Sequence, residues 1–243
     1  MNARTPPPGS VTGTDTETGR DLIARARAQG RSALDEGTGK ALLARYGLAV
    51  PRSAVVADAA AGAAAAADMT GPFVVKVVSP DILHKSDAGG VALRLPDAAA
   101  VGAAIARMAA LPAIAAARLD GWLVEEMAPP GQEVVIGGLN DPQFGPMVMV
   151  GLGGIFVEVL KDVAFRLCPI DAAEARAMLA ELKGHALLRG ARGQAPVDEA
   201  ALVRAILAIG GPEGLMTTLG DQIAEADLNP VIVSDRGAVA VDA

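Results

Sequence analysis

The sequence predicts an α/β (α+β) protein. Three observations carry that expectation. Runs of Val, Ile and Phe at strand length alternate along the whole chain with alanine-rich runs of helical length. Apolar residues make up 51% of the chain but aromatic ones only 2%, so its cores must be packed from small side chains. And 243 residues suffice for one large domain or for two lobes with a core each.

Residues 1–20, rich in Thr, Pro and Gly, are expected to be a disordered tail. Residues 21–243 are expected to fold. Helices are predicted at 20–28 and 34–46, the second with Asp35 and Glu36 near its start and Gly47 ending it. Within it Gly37-Thr38-Gly39-Lys40 imitates a Walker loop, but Leu34 stands where the first glycine belongs and Ala41 where the Ser or Thr belongs. A strand at 49–56 and an alanine helix at 58–69 lead to the strands 73–78 and 91–95, which enclose a polar loop. Asp97 caps a helix over 97–110. Two strands, 121–127 and 133–139, flank the turn Ala128-Pro129-Pro130-Gly131. A strand at 144–150 precedes a flexible glycine loop at 151–154 and the segment 155–160. In the antiparallel strand 163–167, Arg166 is expected on the polar face, away from Val163, Phe165 and Leu167. Helices follow at 171–182 and 198–209, and His185 falls in a loop between them, a structural residue for want of nearby carboxylates.

The net charge of −7 argues against nucleic acid or an anionic membrane as a main partner. A single cysteine, Cys168, excludes an internal disulfide, fits a reducing compartment and is expected to be a packing residue. Finding no apolar span of membrane length and no signal core, we expect a cytoplasmic protein.

Two constellations bear on chemistry. Lys76 interrupts a buried strand, where an ammonium needs an anionic partner. The following loop carries His84, Lys85, Ser86 and Asp87 and ends in Gly89-Gly90. A phosphate cradle fits these residues, and so does a β-hairpin with a long polar loop and a snorkelling lysine. At the other end, Asp227 and Asn229 are two apart on one strand, and a turn at 234–237 sends the chain back. With Ser234 paired to Gly237, Asn229 stands opposite Asp242, and an amide and a carboxylate oxygen converge on one face. Two hard oxygen donors suit Mg²⁺ completed by phosphates and water; a polar cross-strand pair at a sheet end is the other reading. Glu125, Glu126 and Glu133 interrupt apolar runs, which solvated strand faces would explain.

The phrases KVVSPDILHKSDAGGVALRL, NDPQFGPMVMVGLGGIFVEVLKDVAFRLCPI and ADLNPVIV followed by AVAVDA resemble the ATP-grasp β subunit, or β-type domain, of ADP-forming (NDP-forming) acyl-CoA synthetases, relatives of the succinyl-CoA synthetase β subunit. The likeness covers about residues 31–243. It implies an ATP-grasp fold, two β-rich lobes with flanking helices clamping a nucleotide, with a small lobe over about 48–127 and a large lobe over about 21–47 plus 128–243, and with Mg²⁺ and with ATP/ADP as substrate. By resemblance, Lys76 is the lysine on the phosphates, Gly89 and Gly90 form the glycine loop, and Glu125, Glu126, Met127 and Ala128 are the hinge that reads adenine largely through backbone. Glu133 matches the acid near the ribose, and Asn229 and Asp242 match the Mg²⁺ ligands, on a hairpin one residue shorter than in the succinyl enzyme. His84 matches a phosphate-accepting histidine on a mobile loop, and Asp227 an acid that steadies phosphohistidine.

The chain carries no CoA-binding Rossmann segment and no second histidine in a glycine-rich loop. The resemblance therefore implies a CoA-binding α subunit as partner, in an αβ or α₂β₂ assembly. The reaction it implies is acyl-CoA + ADP + phosphate ⇌ carboxylate + CoA + ATP. Two other functions fit the residues: an ATP-grasp carboxylate-amine or carboxylate-thiol ligase working through a free acylphosphate, and a nucleotide-binding assembly module without turnover.

Overall fold

In the computed structural model the described residues are 18–82, 84–154, 161–190 and 195–243. The expected tail up to residue 17, the segment 155–160 and Arg192 lie outside them. Residues 18–20 belong to structure rather than to a tail. Thr18 caps α1 (Gly19–Ala28) through a reciprocal capping box with Asp21, and Arg20 bonds Asp221 at 2.9 Å. α2 (Glu36–Arg45) follows, and Gly47 after it adopts φ +81, a left-handed turn open to glycine.

The chain divides into two compact units. The first comprises Asp35–Gly37 and Pro51–Met127, so it takes the start of α2, which the sequence had given to the large lobe. Its sheet contains β1 (Ser53–Val56), β2 (Phe73–Val78), β3 (Val91–Leu95) and β4 (Gly121–Glu126) in the order β1-β4-β2-β3, every pair antiparallel. Helices α3 (Ala59–Ala67) and α4 (Ala98–Ala109) pack on this sheet and on each other, capped by Asp58 and Asp97, and a short α5 (Pro112–Ala115) follows them. Each such cap is worth about 1 kcal/mol. The core is Phe73, Val75 and Val77 from β2, Val101, Ile105 and Met108 from α4, and Trp122 and Val124 from β4.

The second unit holds residues 18–34, 38–50 and 128–243. Its sheet runs β7-β6-β5-β8-β9, all antiparallel, from β5 (Gln132–Asp141), β6 (Gly145–Leu152), β7 (Val163–Leu167), β8 (Glu225–Ser234) and β9 (Gly237–Ala240). Gly151 and Leu152, expected in a flexible loop, extend β6 and pair with β5. Against the sheet pack α6 (Ala172–Glu181), with a one-turn α7 (His185–Leu188) beside it, α8 (Glu199–Gly210) and α9 (Leu215–Leu219). The stretch Glu199–Leu219 is long and apolar enough to cross a membrane, contrary to the sequence reading. Here it is broken into α8 and α9, with Leu202, Ile206 and Ile209 fully buried in the core, so its apolarity is that of a core element.

On β7 the expected faces are reversed. Ala164 is buried and Arg166 is half-covered, while Phe165 and Leu167 face outward at 48% and 51% exposure. Glu181 on α6 explains the inversion, because the Arg166 guanidinium reaches it from the face that α6 covers and is held further protonated by that bond.

Candidate active site

In the first unit the anionic partner that Lys76 requires is present twice. The Lys76 ammonium bonds Glu36 and lies 3.3 Å from Glu125, and all three side chains are buried. The strand register makes the second contact. Lys76 stands opposite Leu123 and Val74 opposite Glu125, so Lys76 and Glu125 share a face as diagonal neighbours within reach of long side chains. Glu125 is thus no solvated strand-face acid, as its sequence context suggested: its residue is 2% exposed. A second lysine, Lys85, bonds the other oxygen of Glu36.

The loop between β2 and β3 is a closed, hydrogen-bonded structure. Ser79 Oγ donates to the Arg118 carbonyl at 2.7 Å, and Asp81 accepts the Arg118 amide at 2.8 Å. Further on, Ala88 N–H donates to the His84 carbonyl, Gly89 N–H to that of Ser86 and Gly90 N–H to that of Lys85 at 2.7 Å. Gly89 has φ +70, and a Cβ on Gly90 would stand 2.4 Å from Val77 Cγ1, so this path admits glycine at both positions. The sequence reading had these glycine amides facing an anion; here they face the loop's own carbonyls, and the glycines shape the turn. His84 is exposed.

At the expected hinge the side chains and amides are largely engaged within the unit. Glu126 accepts the Thr70 amide at 2.8 Å, Glu126 N–H donates to Arg52 O and Met127 N–H to Pro72 O.

In the second unit the hairpin has the expected register from Val231–Ala240 to the turn. Ser234 pairs with Gly237, Val233 with Ala238 and Val231 with Ala240, and Val241 N–H donates to Pro230 O at 3.1 Å. What the sequence did not reveal is a bulge on the other edge of β8. Val134 pairs with Val231 but Ile136 with Leu228, so Asn229 and Pro230 together oppose one residue of β5. Proline, which has no N–H to give the ladder, is at home there. Simple alternation would put Asn229 on the buried face with Val231. The bulge turns it outward, so Asp227 and Asn229 are both exposed on either side of buried Leu228. Glu133, also exposed, pairs with Ile232 of the same strand.

Burial first, then the charges of Glu225 and Asp242, push the Asp227 carboxyl above the usual carboxylate range. A divalent cation would relieve that repulsion. Among the described residues no group of three or more His, Cys, Asp or Glu side chains could hold a metal by itself. An amide and a carboxylate, with the remaining ligands from phosphate and water, fit the way Mg²⁺ is held. Asp227 also borders a cavity of about 640 Å³ made by α1, α2 and residues 222–228, with Ile23, Leu34 and Leu42 in its wall.

His185 has the neighbour the sequence analysis denied it: Glu199 Oε2 lies 3.6 Å from its Nε2, just beyond hydrogen-bond range, and the residue begins α7. Burial pushes the Cys168 thiol up to about 11, as suits a packing residue. The residue that sequence reasoning missed is Glu36. Its signal was a carboxylate at the start of a helix in a chain whose buried Lys76 demanded one.

The profile of the ATP-grasp domain family matches residues 25–243. The chain is 39% identical over 226 residues to the β subunit of an ADP-forming acetate–CoA ligase (I) of Pyrococcus furiosus, covering 92% of this chain and 95% of that one. It belongs to the ATP-grasp family of ADP-forming acyl-CoA synthetase β subunits. Two solved structures of acetyl-coenzyme A synthetase 1 from Ca. Korarchaeum cryptofilum are similar to this ATP-grasp chain, each covering 93% of it and matching over 97% of their own chain. One, in complex with coenzyme A and Ca-AMPCP, superposes with a TM-score of 0.86 at 39% identity. The other holds coenzyme A and Mg-AMPPCP, with its phosphohistidine segment pointing towards the nucleotide binding site, at a TM-score of 0.79 and 38% identity.

Proposed function

We propose that this chain is the nucleotide-handling β subunit of an ADP-forming acyl-CoA synthetase, catalysing acyl-CoA + ADP + phosphate ⇌ carboxylate + CoA + ATP with a CoA-binding α partner in the cytoplasm. The observation that carries this reading is the position of His84. It is exposed on a loop whose next residue shares one carboxylate with Lys76, the ammonium assigned to the phosphates.

In the ATP-forming direction reversed, a ring nitrogen of His84 attacks the γ-phosphorus. The N–P bond forms as the bond to the β,γ-bridging oxygen breaks, and ADP leaves. The other ring nitrogen keeps its proton and can donate a hydrogen bond to a carboxylate, the role the resemblance assigns to Asp227. Lys76 spreads the charge that develops on the phosphoryl oxygens. Asn229 and Asp242 would hold Mg²⁺, which when bound neutralises phosphate oxygens. Glu133 is assigned to the ribose. Because the Glu126 and Met127 amides are already bonded, a base at the 125–128 segment would meet carbonyls and the residue beyond Met127.

The test is incubation with Mg²⁺ and γ-labelled ATP, with and without a CoA-binding partner subunit. Acid-labile label is expected on His84, lost in His84→Ala and retained in His185→Ala. Unlabelled wild type in the presence of the partner, or product formation at an intact rate in His84→Ala, would overturn the relay.

A further inference from the structure

Glu36 stands at the start of α2 with its side chain 4% exposed, and it serves two cations at once. One carboxylate oxygen accepts from Lys76 and the other from Lys85. Glu125 approaches Lys76 as well, so that lysine has two carboxylates about it, and the side chain of Lys85 reaches the Lys76 cluster through the carboxylate they share. Lys85 is joined to His84 by a peptide bond, and both carbonyls accept amides from the 88–90 turn. An ammonium of Lys85 held on Glu36 restrains the neighbouring backbone of His84 to within the reach of the four-carbon stem.

We propose that Glu36 is a positioning residue for phosphoryl transfer. Bridging Lys76 and Lys85, it fixes the distance between the imidazole that takes the phosphoryl group and the ammonium that steadies it. This rests on the assignment of His84 above. A carboxylate suits the task because each oxygen takes one charge-assisted bond and the single negative charge holds two ammonium groups that would otherwise repel. Glutamine cannot replace it: one amide oxygen can accept, but the NH₂ would face the second ammonium. A displacement of about 1 Å at a reacting atom can cost about a hundredfold in rate.

If Glu36 only neutralises Lys76, substitution of Lys85 is silent, and this separates the two roles. The full chain with its partner subunit is assayed for single-turnover labelling of His84 from Mg·ATP, with ATP affinity measured separately, for Lys85→Gln, Lys85→Arg, Glu36→Gln and the double variant Glu36→Gln/Lys85→Gln. Lys85→Gln and Glu36→Gln are each expected to slow transfer about tenfold or more, with the double variant no slower than the slower single. Lys85→Gln should leave ATP affinity within about threefold, and Lys85→Arg should recover most of the rate. Amide exchange at 84–90 should rise in both single variants. A Lys85→Gln rate within twofold of wild type, or losses that multiply in the double variant, overturns the proposal. Should Glu36→Gln not fold, the two Lys85 variants decide alone. If wild type itself takes no label, the assignment of His84 falls; unchanged exchange in Lys85→Gln then discards the bridge too, and raised exchange keeps the bridge without its phosphoryl role.

Discussion

At Lys76 the physics of a single residue is most exposed to test. Its ammonium balances two carboxylates that are 2–4% exposed at the side chain, in a strand whose neighbours Val75 and Val77 are fully buried. Lys76→Met removes that cation from both Glu125 and Glu36, while Glu36 keeps its bond to Lys85. Removing one member of a buried ionic group costs about 3–5 kcal/mol, to be measured by urea denaturation. A loss under about 1 kcal/mol would mean that water reaches these carboxylates. Adding Glu125→Gln should restore part of the loss. Asp227 offers a pH test of the opposite sign. Its folded-state pKa is raised above the ordinary 3.8, so the ionised form is the one that folding disfavours. That penalty is fully present at neutral pH, shrinks as pH falls through the folded pKa and vanishes below 3.8. Asp227→Asn should therefore melt higher than wild type at pH 7 without Mg²⁺, with the two curves converging in acid. Equal melting temperatures at pH 7 would show that the neighbouring charges are screened. How much of this was legible varies by residue. The need of Lys76 for a counter-ion follows from its place in an apolar run, but its supplier, forty positions upstream, does not.

Among the elements, α8 bears most of the second unit's core. Leu202, Ile206 and Ile209 recur at helical spacing and are fully buried, each worth about 1.5–3 kcal/mol over an exposed position. Ile206→Ala is expected to destabilise by about 2–5 kcal/mol in denaturant melts, and a cost below 1 kcal/mol would mean that the site collapses around the deletion. Helices were readable in sequence because they depend on residues a few positions apart: Asp97 caps its helix as expected, and Asp58 and Asp171, where two other helices were expected to begin, cap those. The β8–β9 register was readable for the same reason, since a tight turn fixes it. The turning of Arg166 on β7 towards the covered face was not, because alternation says only that neighbours differ. Which side is covered depends on where α6 lies, and Glu181 rather than an apolar residue receives the guanidinium. The bulge at Asn229-Pro230 escaped likewise, being a relation between β8 and β5, strands separated by more than eighty residues.

For the whole molecule, the proposed function makes a stability prediction. A ligand that binds only the folded chain at a hundred times its Kd adds about 2.7 kcal/mol. Saturating Mg·ATP should therefore raise the melting temperature of wild type by several degrees and that of Lys76→Met by much less, as thermal denaturation followed by circular dichroism would report. Equal shifts in both would remove Lys76 from the nucleotide site. The net charge of −7 sets no barrier to such a ligand, because recognition of a polyanion rests on local cations and not on the sum.

By itself the sequence determined the mixed α/β class, the order of nearly all helices and strands, the hairpin register near the C-terminus and the family, because each is written in local spacing or in long matching phrases. Only the tertiary structure decided that Glu36, at the start of its helix, belongs to the first unit, that Glu125 is buried beside Lys76, and that a bulge turns Asn229 outward. Those are contacts between residues far apart in the chain. Burial and charge pairing select them only after the strands have found their neighbours, and no short window of sequence contains both partners.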